Sequence, residues 1–496
     1  MSFITKSFRS CENDRAAQST FYFYSVKKWL IPILICLAIS ASAQNTLTLE
    51  QCVEMAWVNN LQIKQAELSL ESGESNLSRA KSDRMPNLNG FASHNYNWGQ
   101  RIDPFTNQFA NTRVQSNSFG LSSSVDLFSG FQNKQNIKAQ QAALEAVLFD
   151  LEAQKNDVAL AVSSSFLAVL LADELRLVAE KQLLITQQQL NRISKLVEAG
   201  SINVGSKYDL EAQLAQDEAN ATQRDIDFNL NLLQLKQLLL LPANEELALT
   251  KPSSLELEPD AKLESTATVY SFAETNMPEI KRAEKSLIQW ESQYKSAQGG
   301  LYPSLSLSGS IGSGYSGLRT TPINVVQVGT QAIGSTESGE AVFVPTYDSD
   351  LQKVAFGTQV SDNFNQYIGL SLNVPIFNRG VVSNSMQQAR INQDIAELQL
   401  EGEKQVLLQK IENARAQALA ARQLYIANQK LLASSEKAFE FATARFEAGA
   451  LNTTEFNTSK NNVVMASART ARSKYDFVFK TKVLEFYMGK PLSFKE

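Results

Sequence analysis

The second half of the chain repeats the first at a fixed spacing, and that spacing changes only once. Asn59, Ile63, Lys64, Ala66, Glu67 and Leu70 recur as Asn276, Ile280, Lys281, Ala283, Glu284 and Leu287, an offset of 217 residues that still holds at Pro86/Pro303 and Leu88/Leu305. Further on the offset is 249: Gly120-Leu121-Ser122, Val125 and Phe128 match Gly369-Leu370-Ser371, Val374 and Phe377, and Glu198-Ala199-Gly200, Asn203 and Pro242 match Glu447-Ala448-Gly449, Asn452 and Pro491. The difference between the offsets, 32 residues, is an insertion between Pro303 and Gly369. Any fold must therefore be built from two equivalent halves, one with an enlarged loop.

Each half alternates two periodicities. Four segments have a two-residue period that predicts strands at about 86–98, 116–128, 303–315 and 364–377. Leu88, Gly90, Ala92, His94, Tyr96 and Trp98 oppose Asn87, Asn89, Phe91, Ser93, Asn95 and Asn97, and Phe119, Leu121, Val125 and Leu127 alternate with small polar residues. Leu305, Leu307, Ile311 and Tyr315 repeat the pattern, followed by Ile368, Leu370, Leu372, Val374 and Ile376. An apolar face, a small polar face and terminal aromatics suit the wall of a transmembrane barrel. Four strands cannot close a barrel, and an open sheet exposes unpaired edges, so closure needs further copies of the chain.

The other period is helical. No proline or glycine occurs between Gln132 and Ala199, and Leu144, Leu148, Leu151, Val158, Val162, Ser165, Val169 and Ala172 form a 3–4 seam that Tyr208, Ala212, Ala215, Ala219, Thr222 and Ile226 continue. We read these stripes as packing between antiparallel helices. At about 1.5 Å per residue, helices over 131–199 and 380–448 are roughly 100 Å long, and those over 49–83, 207–240, 268–300 and 456–488 roughly 50 Å. Two short helices end to end match one long helix.

Lys27-Lys28, the apolar run 29–39 and Ala41-Ser42-Ala43 read as a secretory signal peptide. Residues 1–43 are thus leader and signal peptide, with 1–26 an atypical extension. The apolar run is too short to span a bilayer, and Ile35 before Cys36 is too bulky for lipoprotein processing. The expected organisation is a first repeat at 44–242, a linker at 243–267 and a second repeat at 268–496. After processing, 41 basic and 49 acidic residues remain, which gives no invitation to nucleic acid. Cys52 is the one remaining cysteine, so no intrachain disulfide is possible. His94 reads as a strand residue, and no hydrolase elbow, phosphate loop or metal-spaced cluster appears, so no enzyme, cofactor or metal site is expected.

The signal peptide, the duplicated helix–strand–strand–helix order and the two Glu-Ala-Gly turns resemble the TolC-like outer-membrane efflux protein family over essentially the whole mature chain. Phe446-Glu447-Ala448-Gly449, with Glu455 six residues on, resembles that family's periplasmic tip motif. The resemblance implies a mainly α fold with a small transmembrane β part. It implies a homotrimer with a twelve-stranded barrel, four strands per chain, continued by an α-helical coiled-coil tunnel through the periplasm of a Gram-negative cell. The implied partners are outer-membrane lipid, a periplasmic adaptor protein and an inner-membrane transporter, proton-driven or ATP-driven.

The resemblance also assigns roles at the tip. Gly200, Ser201, Gly449 and Ala450 fall at adaptor-docking turns, although a turn between long helices needs such glycines in any case. Glu455, Phe446 and Asp209 are candidate pore-gate residues. Thr458 stands where a second acid is usual and Leu451 where a base is usual, which weakens the expected closed-state ring. Roughly 316–363, rich in Gly, Ser, Thr and Asn, is expected to be an extracellular loop without fixed structure or role. The function expected is the outer-membrane conduit of a tripartite efflux system. The alternatives are the duct of a type I protein secretion system and a soluble periplasmic coiled-coil scaffold.

Overall fold

The computed structural model describes residues 46–103, 105–107, 109–111, 113–252 and 263–492; the expected leader and signal peptide at 1–43 and residues 253–262 of the expected linker lie outside these. In chain order the elements are β1 (Thr46–Leu47), α1 (Leu49–Asn59), α2 (Leu61–Ser82), β2 (Asn89–Asn97), β3 (Arg101–Ile102), β4 (Phe109–Ala110), β5 (Val114–Ser129), α3 (Gln132–Glu198) and α4 (Val204–Leu238). There follow β6 (Ala248–Leu249), α5 (Thr266–Asn276), α6 (Pro278–Gly299), β7 (Ser304–Ser316), β8 (Thr320–Ser335), β9 (Ala341–Lys353), α7 (Phe356–Asp362), β10 (Asn365–Asn373), α8 (Val381–Glu447) and α9 (Thr453–Tyr487).

The duplication is preserved to the residue in the helices. Both long helices have 67 residues and both tip-proximal short helices have 35, at the 249 offset. Each long helix begins after two left-handed residues, Gly130-Phe131 and Arg379-Gly380, which turn the strand into the helix. At the first turn a Cβ on Gly130 would lie 2.2 Å from the Gly299 carbonyl oxygen, so this crossing needs a glycine.

The helices expected over 49–83 and 268–300 are each broken in two. Asn60 takes an extended backbone (φ −58, ψ 129) and its Oδ1 accepts from the Gln62 and Ile63 amides, so it caps a new helix. At the equivalent position Met277 is also extended, and Pro278 sits at the first helical position, where its missing N–H is not needed. Apolar clusters brace the breaks. Leu49, Cys52, Ile63, Val162, Phe166 and Leu239 pack in one repeat, and Val269, Met277, Ile280, Leu407 and Ile411 in the other.

Four strands form one antiparallel sheet in the order β10-β7-β5-β2, leaving β2 and β10 as edges. A register shift between Asp126 and Phe128 puts Phe128, rather than the expected Leu127, opposite Leu305. The helices follow the same order. Nearest the sheet, neighbours run α2-α3-α6-α8; towards the far end they run α4-α3-α9-α8. At every level one edge belongs to the first repeat and the other to the second.

The insertion differs from the unstructured loop expected. Strands β8 and β9 form a hairpin of 16 and 13 residues, and α7 packs on β7. Composition concealed it, because Gly, Ser and Thr on both strands blur the alternation. In the linker, β6 pairs in parallel with β1, and Lys251 meets Asp173 of α3 at 3.2 Å.

Candidate functional site

The sheet buries neither face within the protomer. Ile368, Leu370 and Leu372 stand beside Gly309, Leu307 and Leu305, which stand beside Ser123, Val125 and Phe128. Ile311, Leu121 and Gly90 continue this row. Its edge side chains are left in the open, with Ile368 79% and Leu372 65% exposed. The other face carries Ser306, Ser308, Ser310, Ser122, Ser124 and Asp126, interrupted by Phe91 and Tyr367, and Ser93 Oγ lies 2.7 Å from Ser118 Oγ across it. Sheets in water hide their apolar face; here the polar face is the small one and the apolar face is bare.

Aromatics gather at both ends of this wall. Phe128 meets Phe131 edge-on at 5.1 Å and Phe131 meets Tyr302 at 6.2 Å, with Phe377 85% exposed nearby in sequence. At the other end His94, Tyr96 and Trp98 form a chain of ring contacts at 4.9 and 6.3 Å. From Gln115, opposite Tyr96, to Phe128 is about 43 Å along the strand at roughly 3.3 Å per residue. A barrel tilt of about 45° shortens that to about 30 Å, the thickness of a bilayer's apolar layer. His94 shares its Nδ1 with Asn117 Oδ1 across the strands, as a strand residue would.

Above the sheet, Asp103 is fully buried. Its carboxylate accepts from the Phe105 and Thr106 amides at 2.9 Å and from Ser316 Oγ at 2.6 Å. Burial raises this carboxyl, but the donors from Ser316, Thr106 and Phe105 outweigh it and hold it below the usual carboxylate range. Gln359 of α7 bonds the Ser316 amide and carbonyl, both at 3.0 Å. Together they tie the 98–113 connection to the root of the insertion.

At the far end the two Glu-Ala-Gly turns are superimposable in hydrogen bonding. Ser201 N donates to the Leu196 carbonyl and Gly200 N to Val197; Ala450 N donates to Arg445 and Gly449 N to Phe446. This is the Schellman pattern, with the glycines at φ +71 and +72. Asn203 and Asn452 then cap the returning helices. A Cβ at either glycine would meet nothing within 4 Å, so backbone conformation alone fixes glycine there and the turn surface is open.

The remaining tip candidates separate. Glu455 and Asp209 are exposed on different hairpins, whereas Phe446 stacks on buried Phe456 at 4.5 Å inside its own hairpin. Sequence reasoning missed what joins the hairpins. Arg192 meets Glu447 at 3.0 Å, and Lys460 Nζ, buried at 2% exposure, donates to Thr186 Oγ1 at 2.7 Å and lies 3.4 Å from Asp217 Oδ2. Thr186 and Gln182 also donate to that carboxylate. A lysine eight residues into an exposed-looking helix gives no signal of this kind. Cys52 is buried and its thiol is pushed up to about 12 by burial and Glu50, which disfavours the nucleophilic thiolate.

The stripe Tyr208, Ala212, Ala215, Ala219, Thr222 and Ile226 does not pack within the chain; all six are exposed, and α4 instead buries Leu210, Asp217 and Leu235. Opposite it, α8 buries seven residues where the equally long α3 buries eighteen, and exposes Ile391, Ile395, Leu398, Leu424, Leu431 and Phe441. Both outer helices thus carry unsatisfied apolar stripes.

A family model described as outer membrane efflux protein matches residues 52–239 and 269–490. The cation efflux system protein CusC of Escherichia coli K12 is 25% identical over 413 residues, 81% of this chain and 77% of that protein. The outer membrane protein TolC of the same organism is 21% identical over 471 residues, 93% of this chain and 86% of that one. A crystal structure of CusC superposes with a TM-score of 0.70 at 20% identity, covering 89% of this chain and 92% of the other. The Campylobacter jejuni CmeC outer membrane channel does so at 0.68 and 18%, over 89% and 85%.

Proposed function

The chain belongs to the outer membrane efflux protein family and is an outer-membrane protein with the TolC-like fold, and we propose that three copies close into the conduit of a tripartite efflux system. The observation that carries this reading is the shared open edge. Sheet and helices present the same two edges over the full height, and α4 and α8, which carry the exposed stripes, are the helices at those edges. Rotation of one copy onto the next pairs β10 with β2 and seats α8 against α2 and α4. Such a head-to-tail contact must close into a ring to satisfy every edge.

Ring size follows from strand count. Two copies give eight strands, whose interior is filled by side chains; three give twelve, which leaves a passage. The apolar sheet face then meets lipid, the serine-rich face lines the passage, and the helices, roughly 100 Å long, extend it through the periplasm. The open Schellman turns suit a periplasmic adaptor, which would couple the tunnel to an inner-membrane transporter that supplies the energy. A type I secretion duct would use the same conduit, the cargo being chosen by the transporter.

The test is reconstitution in a planar bilayer together with export in a strain lacking the chain's gene. Discrete channels and loss of export in that strain, restored by the gene, support the reading. A protein that inserts no channels and whose removal leaves export unchanged rejects it.

A further inference from the structure

The β8–β9 hairpin is a two-stranded ribbon exposed on both faces, and such a ribbon is at best marginally stable alone in water. Its three register shifts all place the extra residue on β8, so β9 runs regularly. Phe343, Tyr347 and Leu351 share one face, 59, 60 and 69% exposed, while Asp348 and Asp350 share the other with the smaller Val342 and Val344. The insertion leaves the sheet between β7 and β10, and β10 is the edge that must pair with β2 of a neighbouring copy. Above β2 stands the 98–113 connection, whose Trp98, Ile102 and Phe109 are 73, 49 and 78% exposed. That connection contains Arg101 and Arg113 against Asp103, whereas the hairpin contains Glu337, Glu340, Asp348 and Asp350 against Lys353.

We propose that the hairpin is an intersubunit strap, its Phe343/Tyr347/Leu351 face seated on the 98–113 connection of the next copy. This rests on the ring described above and extends it beyond the membrane. Within one chain the root of the insertion is already held to 98–113 through Asp103 and Ser316. Continuity with the β10–β2 seam and matching bare apolar side chains select a second copy as the occupant. Seating the strap buries apolar side chains that otherwise face water. It also leaves the two aspartates of each copy on the opposite, solvent-facing side.

The test is site-specific photocrosslinking in intact cells with the full chain. Phe343→p-benzoylphenylalanine and Tyr347→p-benzoylphenylalanine should yield covalent multimers whose crosslinked peptide contains 98–113, several-fold more than Asp348→p-benzoylphenylalanine on the other face. Adducts only to lipopolysaccharide or to an unrelated protein, or equal multimer yields from the two faces, overturn the strap. Electrophoresis of unheated samples separates the two readings. A heat-sensitive trimer band without these crosslinks rejects the strap alone, whereas loss of that band in every sample rejects the ring.

Discussion

Lys460 and Asp217 come from different repeats, 243 residues apart, and meet at 3.4 Å in a site with 2% and 7% side-chain exposure. They are the charged contact between α9 and the α3–α4 hairpin, and burial lowers the lysine from its ordinary value against the pull of Asp217. Removing one partner of a buried pair leaves an uncompensated charge, at a cost of about 3–5 kcal/mol. We expect Lys460→Met to destabilise the tip by about 3 kcal/mol and Lys460→Met with Asp217→Asn to recover most of it, because Asn can still accept from Thr186. Hydrogen exchange across 182–220 in the purified protein reads both. Equal losses in single and double variants would contradict the pairing.

Glu455 lies exposed in the first turn of α9 with its amide held by Asn452. If three copies bring it to the axis, Glu455→Ala raises single-channel conductance and lowers cation preference. Unchanged conductance and selectivity would reject a gating role for this carboxylate. Phe446 should behave differently: because it stacks on Phe456, Phe446→Ala acts on tip stability.

Gly449→Ala forces a side chain into the left-handed region and should cost about 1 kcal/mol in local stability. Gly449→Asn tolerates that conformation and should keep the turn. Adaptor docking predicts that the asparagine variant, although stable, loses export and crosslinking to the adaptor, since a side chain now stands on the open turn. Full export from it would assign the glycine to turn geometry alone.

Asp103 is held below the usual carboxylate range by Ser316, Thr106 and Phe105. A depressed folded pKa contributes stability that is present above the unfolded value, about 3.9, and is lost as pH falls through the folded value. Asp103→Asn should therefore lower the protection of the Thr106 and Ser316 amides at pH 7. The gap between the two proteins should narrow as pH falls below about 4. A gap independent of pH would show that the charge does not hold the mouth.

How far the sequence could be read depends on where each residue's partner lies. Local rules placed the helices and the tip turns, because an unbroken 3–4 period and a Gly at the helix end act within one segment. They overran at Asn60, since a cap inside an apolar period resembles an ordinary helical residue. The 208–226 stripe was legible as apolar but not as unpartnered within the chain, because periodicity gives a face and not its neighbour. Lys460 was illegible for the same reason, its partners Thr186 and Asp217 lying in the other repeat. In the insertion, bulges on β8 disrupted the alternation that would have announced a hairpin.

The most direct measurement is native mass spectrometry of the processed protein extracted from membranes in detergent. The account predicts one species at three times the mass of the mature chain, retaining bound detergent or lipid. A single chain that stays in solution without detergent would contradict it, since the exposed stripes of α4 and α8 and the bare sheet face would then have nothing to cover them.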